Sequence, residues 1–374
     1  MDAGDNEKIV IAQAPGRIIF LGDHGQVKDG LYVSSGIDSS VQVAVSFRKD
    51  SSIRFFAADS NERKRTTLVN LRYKREDRWA NYVKTAINIF LELGCELRGL
   101  NFTIFGDIPQ NISLASSSAV EVASAMALRR FFMPGMADND LISRLTASHA
   151  GFYDKENKIV DYLTMMNAKK DHFLLINEAT QEVKRVKNPF PKHKILLMDS
   201  KVPVIEVQQE LKQRRATVLK GIEILEKTRD AVSLKDISLT DLDELMGQVN
   251  EEVRRRCLFV VEEIGRIREV AKAIVEGDKD SFAKNLFHSH EGLRDLYEVS
   301  CPETDWLVKR ASETPGVIGA RMTGLGFGGC IYVMIKSDAV DEYQHRLEDY
   351  ERIFGFRTIT HELHIAGGTR MILK

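Results

Sequence analysis

The sequence predicts a two-domain α+β protein, and three features predict it. With 374 residues, the chain is long for one core, since domains usually run to roughly 100–200 residues. Its first half alternates short strand-like runs with helical periodicity, a mixed α/β texture. From about Val204 long charged helices take over, and strands return only toward the C-terminus. The change of texture sets the boundary near residue 201, giving domains 1–201 and 202–374.

The elements follow from pattern. Strand-like runs cover Ile9–Ala12, Val41–Phe47, Asn101–Phe105 and His172–Asn177. Between them, Trp79–Leu93 places Tyr82, Val83, Ile87 and Phe90 at helical spacing. The turn-forming stretch NPFPKH leads into a strand over Lys194–Asp199. Helices are predicted over Val204–Arg229, Asp241–Arg254, Val260–Glu276 and Asp280–Tyr297. Strands at Val317–Met322, Cys330–Ile335 and Thr369–Leu373 close the chain.

Composition narrows the function classes. Lys+Arg 53 against Asp+Glu 54 leaves a net charge of −1, so no global field favours nucleic acid or an anionic membrane. The four cysteines, Cys95, Cys257, Cys301 and Cys330, lie far apart and form neither a zinc pattern nor a disulfide framework. The opening MDAGDNEK has no apolar signal core, and no apolar run approaches the ~20 residues of a membrane span. These features predict a cytoplasmic protein with neither a membrane nor a nucleic-acid partner.

Three loops carry the candidate chemistry. In the first, Ala14-Pro15-Gly16-Arg17 leads through an apolar strand to Gly22-Asp23-His24, then a polar stretch ending at Gly36-Ile37-Asp38. An Arg and an Asp-His pair at the ends of a short strand can converge on a polar ligand; taken alone, the segment is better explained as a turn, a strand and a solvated loop. In the second, Gly106-Asp107-Ile108-Pro109 and Gln110–Ala115 precede Ser116-Ser117-Ser118 and a helix with Ala119, Val122, Ala123 and Met126 on one face. Ser118 with Glu121 three residues later fits a capping box. A serine-rich helix start also offers N–H groups and hydroxyls to a phosphate, and a hydroxyl to Mg²⁺. The third, Met322-Thr323-Gly324-Leu325-Gly326-Phe327-Gly328-Gly329-Cys330, contains GxGxxG. A dinucleotide fold needs a helix after it, whereas the strand CIYVMIK follows, and no protein-kinase motif lies downstream. What remains is a glycine-dense strand–turn–strand that lets backbone approach a ligand, or a tight hairpin with none.

Taken in order, the three loops resemble the three signature motifs of the GHMP kinases, the superfamily of galactokinase, homoserine kinase, mevalonate kinase and phosphomevalonate kinase. SCPETDWLVKRASETPGVIGARMTGLGFGGC, Ser300–Cys330, looks very like the same region of galactokinases, and IVDYLTMMNAKKDHFLLIN, Ile159–Asn177, like their stretch with the catalytic aspartate. GDHGQVKDG is closer to the mevalonate kinase pattern. The resemblance implies a GHMP kinase fold, with a mixed α/β (ribosomal protein S5-like) N-terminal domain, a helix-rich α+β C-terminal domain and the active site in the cleft between them. It implies a galactokinase-like phosphotransferase, monomer or homodimer, that moves the γ-phosphoryl group of ATP to a hydroxyl of a sugar or similar polyol with Mg²⁺ as cofactor.

The resemblance also implies roles. Asp161 would accept the proton of the attacking hydroxyl and Arg17 would stabilise the transferring phosphoryl group. Asp23 and His24 would contact substrate hydroxyls, with Gln26 beside them. Ser113, Ser116, Ser117, Ser118, Gly324, Gly326, Gly328 and Gly329 would line the ATP phosphates, and Ser117 would reach Mg²⁺.

This chain departs from the pattern at several of these points. Asn111 and Ser113 stand where the phosphate loop has glycines, His149 stands at the position of a Mg²⁺-binding glutamate, and Asn157 and Lys158 replace Cys and Gly before the aspartate. Gln26 and Leu211 replace an aspartate and a tyrosine of the galactose pocket, so galactose is expected to be a poor acceptor. The alternative implied by the departures is a non-catalytic descendant that binds a sugar or nucleotide and reports it to a partner.

Overall fold

The structure is a computed structural model that describes residues 8–24, 30–153, 158–203, 207–228, 240, 242 and 249–373. In chain order the strands are β1 (Val10–Leu21), β2 (Leu31–Phe47), β3 (Ser52–Ala57) and β4 (Glu62–Thr67). Helix α1 (Ala80–Glu92) and strand β5 (Leu100–Gly106) follow, then helices α2 (Ser116–Phe132), α3 (Asp138–Tyr153) and α4 (Ile159–Asn167). Strands β6 (His172–Asn177), β7 (Glu182–Lys187) and β8 (His193–Asp199) lead to helices α5 (Val207–Thr228), α6 (Glu251–Glu276), α7 (Lys279–Asp295) and α8 (Pro302–Ser312). The chain ends with β9 (Val317–Met322), β10 (Ile331–Lys336), α9 (Val340–Arg346), α10 (Asp349–Phe354), β11 (Ile359–Leu363) and β12 (Arg370–Leu373). No helix among the described residues is long and apolar enough to cross a membrane.

Two compact units interleave along the chain, where the sequence suggested one boundary near residue 201. The first comprises residues 1–17, 35–170 and 365–374; the second comprises 18–34 and 171–364. The division therefore falls inside β1 and β2.

In the first unit the strands run in the order β12–β1–β2–β5–β3–β4. β3 and β5 pair in parallel, whereas β1–β12, β2–β5 and β3–β4 are antiparallel. Val43 and Val45 of β2, Phe102 of β5 and Val83, Ala86, Ile87 and Phe90 of α1 are all buried in this unit. Phe47 packs its ring against Phe131 and Phe132 of α2, which ties strand to helix. Helix α2 in turn contacts α1, α3 and α4.

In the second unit β11, β8, β10 and β9 form an antiparallel sheet, while Leu31–Ser34 pairs with β6 and β6 with β7. Phe259 and Val260 of α6, Leu293 of α7, Leu307 of α8 and Val333 of β10 share one buried cluster. Leu211 packs against that cluster, a core role that explains an apolar residue there.

One helix expectation needs correction. Of the helix expected over Asp241–Arg254, residues 241 and 243–248 lie outside the described residues, and Glu251–Arg254 belongs to α6. Asn250 ends any continuity, because its side chain accepts from the Val253 N–H and caps α6 from an extended backbone. Asp278 caps α7 in the same way, through Asp280 and Ser281.

Candidate active site

The loop between β5 and α2 is held open by backbone rather than by glycine. Asn111, Ser113 and Ala115 adopt positive φ of 62°, 60° and 59°. Such left-handed geometry costs a non-glycine residue about 1–2 kcal/mol, less for asparagine. It persists because β1 clamps the loop: the Arg17 N–H donates to the Leu114 carbonyl at 3.1 Å, and an Arg17 guanidinium N–H to the Ser113 carbonyl at 2.6 Å.

Arg17 spends its remaining reach on Asp161. Its Nε donates to Asp161 Oδ1 at 2.7 Å, with each side chain 13% exposed. The Ser118 hydroxyl donates to the other carboxylate oxygen at 2.7 Å. Asp161 lies in the first turn of α4, where unpaired N–H groups favour negative charge. Burial alone would raise its pKa, but Arg17, Lys158 and the Ser118 and Arg17 hydrogen bonds outweigh burial and hold it below the ordinary aspartate value of 3.8. Asp161 is thus a carboxylate at neutral pH with fixed orientation.

The same bond corrects the expected capping box. Helix α2 begins at Ser116 from Ala115, a left-handed residue that makes no side-chain cap, so Ser118 sits inside the first turn and is free to serve Asp161. Glu121 is fully buried; its two oxygens pair with His149 Nδ1 at 2.7 Å and with the Tyr162 hydroxyl, which donates at 2.7 Å. Burial and Glu121 push the Tyr162 hydroxyl pKa well above its ordinary value, so it remains a donor. A cavity of about 270 Å³ adjoins the start of α2, lined by Trp79, Tyr82, Gln110, Ser116, Ser117 and Val120 among others. A larger basic cavity of about 820 Å³, around Arg48, Arg54 and Arg65, contains none of these groups.

In the second unit the glycine loop is organised from within. Asp23 Oδ1 accepts from Arg321 at 2.7 Å, and Oδ2 from the Gly324 N–H at 3.0 Å. Arg321 is fully buried and also meets Glu263 at 3.2 Å and the Ser289 hydroxyl at 2.7 Å. Burial opposes the Asp23 charge, but Arg321 and His24 outweigh it and lower its pKa; burial lowers that of His24 despite Asp23. His24 Nε2 is buried and has no hydrogen-bond partner among the described residues. Gly326 and Gly328 have φ of 82° and 109°, and a Cβ on either would lie 2.6 Å from the Val299 carbonyl or 2.5 Å from Val202. Glycine there satisfies close packing as well as turn geometry.

Thus Arg17, Asp161, Ser113, Ser116, Ser117 and Ser118 gather in the first unit, and Asp23, His24, Gly324, Gly326 and Gly328 in the second. Gln26 lies outside the described residues. Sequence reasoning missed Arg321 and Glu263 as partners; the signal was an arginine inside the otherwise apolar strand VIGARM. It also missed what Lys158 does. Its ammonium donates to the Ser117 hydroxyl at 3.0 Å, lies 3.8 Å from Glu121 and sits 5.1 Å above the Tyr82 ring.

The donor set does not suit a protein-held Mg²⁺. His149 is committed to Glu121 and stacks on Tyr153, and imidazole is a poor ligand for a cation that wants oxygen. Both Glu121 oxygens are engaged, and an ammonium occupies the Ser117 hydroxyl. Among the described residues no group of three or more His, Cys, Asp or Glu side chains is arranged to hold a metal.

Family models for the GHMP kinases N terminal domain and the GHMP kinases C terminal match residues 81–162 and 270–352. The chain is 34% identical to a putative galactokinase of Treponema pallidum over 98% of its own length and 94% of the relative's. It is 30% identical to a galactokinase of Thermotoga maritima, over 96% of this chain and 99% of that one. Among solved structures it resembles Lactococcus lactis galactokinase complexed with galactose, with a TM-score of 0.89 at 24% identity, covering 97% of this chain and 95% of that one. Methanococcus jannaschii mevalonate kinase has a TM-score of 0.70 at 17% identity, covering 98% and 100%.

Proposed function

The chain belongs to the GHMP kinase family, on its galactokinase-like side, and on that premise we propose that it transfers the γ-phosphoryl group of ATP to a hydroxyl of a sugar or similar polyol in the cytoplasm. The observation that carries this reading is the Arg17–Asp161 pair, fixed by Ser113 and Ser118 at the start of α2. Phosphoryl transfer asks a protein mainly for position and charge.

Asp161 orients the acceptor hydroxyl and takes its proton; its lowered pKa makes it a weak base, so that proton moves late, once the oxygen has begun to bond to phosphorus. Arg17 stabilises charge that develops on the transferring group. The free N–H groups of the first turn of α2, with Ser116 and Ser117, suit the phosphates, and the aromatic cavity at Trp79 and Tyr82 suits the base. Mg²⁺, on this reading, arrives with the nucleotide and is not held by side chains.

In the second unit the Nε2 of buried His24, without a partner among the described residues, is suited to a ligand hydroxyl, whereas Asp23 has both oxygens engaged and holds the loop at Gly324. Leu211 is partly buried, packs against the core cluster and carries no hydrogen-bonding group for a sugar, which supports an acceptor other than galactose. A coupled ADP-release screen over monosaccharides, polyols, mevalonate and homoserine tests the reading. It predicts turnover with at least one sugar or polyol that exceeds turnover with galactose; release with mevalonate or homoserine alone would overturn the substrate class.

A further inference from the structure

We infer that Lys158 is the fixed cation of the nucleotide site, so that phosphate binding does not depend on a divalent ion held by the protein. The inference rests on the ATP reading above and deepens it. Three observations point to it. The Lys158 ammonium donates to the hydroxyl of Ser117, in the first turn of α2, where the helix already directs unpaired N–H groups and positive potential outward. The side chain is 15% exposed, so it is fixed by its surroundings yet open on one side. It is steered there by Glu121 at 3.8 Å and by the Tyr82 ring at 5.1 Å, the latter a lining residue of the aromatic cavity.

A Mg²⁺ on the Ser117 oxygen would sit about 2.1 Å from it, while the ammonium lies 3.0 Å from the same atom. Two cations do not share one hydroxyl at those distances without strong repulsion. The histidine turned onto Glu121 removes the remaining donor from that spot. An ammonium in this place neutralises phosphate charge with no demand on geometry beyond contact. If Lys158 served only to tie α4 to α2, its loss would lower stability and leave metal dependence of nucleotide binding unchanged.

Isothermal titration of the full chain with ATP, in excess EDTA and in excess Mg²⁺, separates these roles. The wild type is expected to bind metal-free ATP within about fivefold of its Mg²⁺ value, while Lys158→Met weakens metal-free binding at least about tenfold and Mg²⁺-loaded binding less than about threefold. Lys158→Arg, which keeps the charge, is expected to restore most of the metal-free affinity. Thermal melts of each variant verify folding, and the wild-type comparison stands even if Lys158→Met does not fold. ATP binding by the wild type that needs Mg²⁺, or metal-free binding by Lys158→Met equal to wild type, overturns the inference alone. No ATP binding by the wild type in either buffer overturns the nucleotide reading with it.

Discussion

Replacing Asp161 with asparagine keeps the shape of the side chain and removes its charge, which makes it a sharp probe of the Arg17–Asp161 pair. The amide oxygen can still accept from Arg17, and the amide nitrogen can donate to the Ser118 hydroxyl, so both contacts at 2.7 Å have replacements. What disappears is the charge assistance. A hydrogen bond to a charged group is worth about 1.5–3 kcal/mol and a neutral one about 0.5–1.5. The difference, about 1 kcal/mol for side chains that keep 13% exposure, is the expected loss of folding stability. The catalytic effect is far larger, because the amide cannot accept the acceptor's proton: kcat should fall roughly 10²–10⁴-fold. The affinity for ATP should change less than about threefold, since Asp161 meets the hydroxyl and not the nucleotide. Urea denaturation, calorimetry and coupled ADP release measure the three quantities on one preparation. A kcat within about threefold of wild type in a folded variant would refute the assignment of Asp161 as proton acceptor.

Three further outcomes follow from the geometry. Ser113→Gly should stabilise the fold by about 0.5 kcal/mol in urea denaturation, because relief of left-handed strain exceeds the entropy glycine adds to the unfolded chain; Asn111→Gly should gain less, asparagine being at ease there. Arg321→Met strips the cation from two buried carboxyl side chains, Asp23 and Glu263, and should cost about 3–5 kcal/mol by the same measurement. Stability should fall on acidification in two stages, read as urea midpoint against pH. His24 is held below its ordinary 6.5, so the unfolded chain takes up the proton first and stability declines as pH drops below 6.5. Asp23 and Asp161 are held below 3.8, so their contribution is intact above 3.8 and is lost as pH falls through their lower folded values. A midpoint that rises between pH 7 and pH 5.5 would contradict the His24 assignment.

Much of the fold was legible because periodicity survives in the buried segments. β9, the glycine loop and β10 were read as strand–turn–strand, and α1 and β6 were placed within a residue. The Pro-Gly signal in β1 was misleading. It suggests a turn, yet the strand runs straight through from Val10 to Leu21. A Cβ on Gly16 would lie 2.9 Å from Ile37 and 3.1 Å from the Leu114 carbonyl, so the glycine marks close packing beside the loop and not a reversal. Gly36 in β2 plays the same part, 2.7 Å from the Ala168 Cβ. The β3–β4 hairpin escaped because ERKRTT carries no apolar alternation on its exposed face.

The site was legible only in part. Arg17 and Asp161 are 144 positions apart, and nothing in local pattern joins them; the ordered motifs did. Ser118 and Glu121 had the spacing of a cap, but tertiary partners claimed both side chains, which spacing cannot foresee. Lys158 and His149 were visible as departures, while Glu121 showed only as one end of a cap and not as the buried partner that both of them meet.

The most direct test of the account is ³¹P NMR of wild-type protein incubated with ATP and Mg²⁺ and each sugar or polyol that binds it. The account predicts a new phosphomonoester resonance that grows in step with ADP and is absent with Asp161→Asn. ATP left intact with every bound acceptor, in protein that binds both nucleotide and sugar, would contradict it.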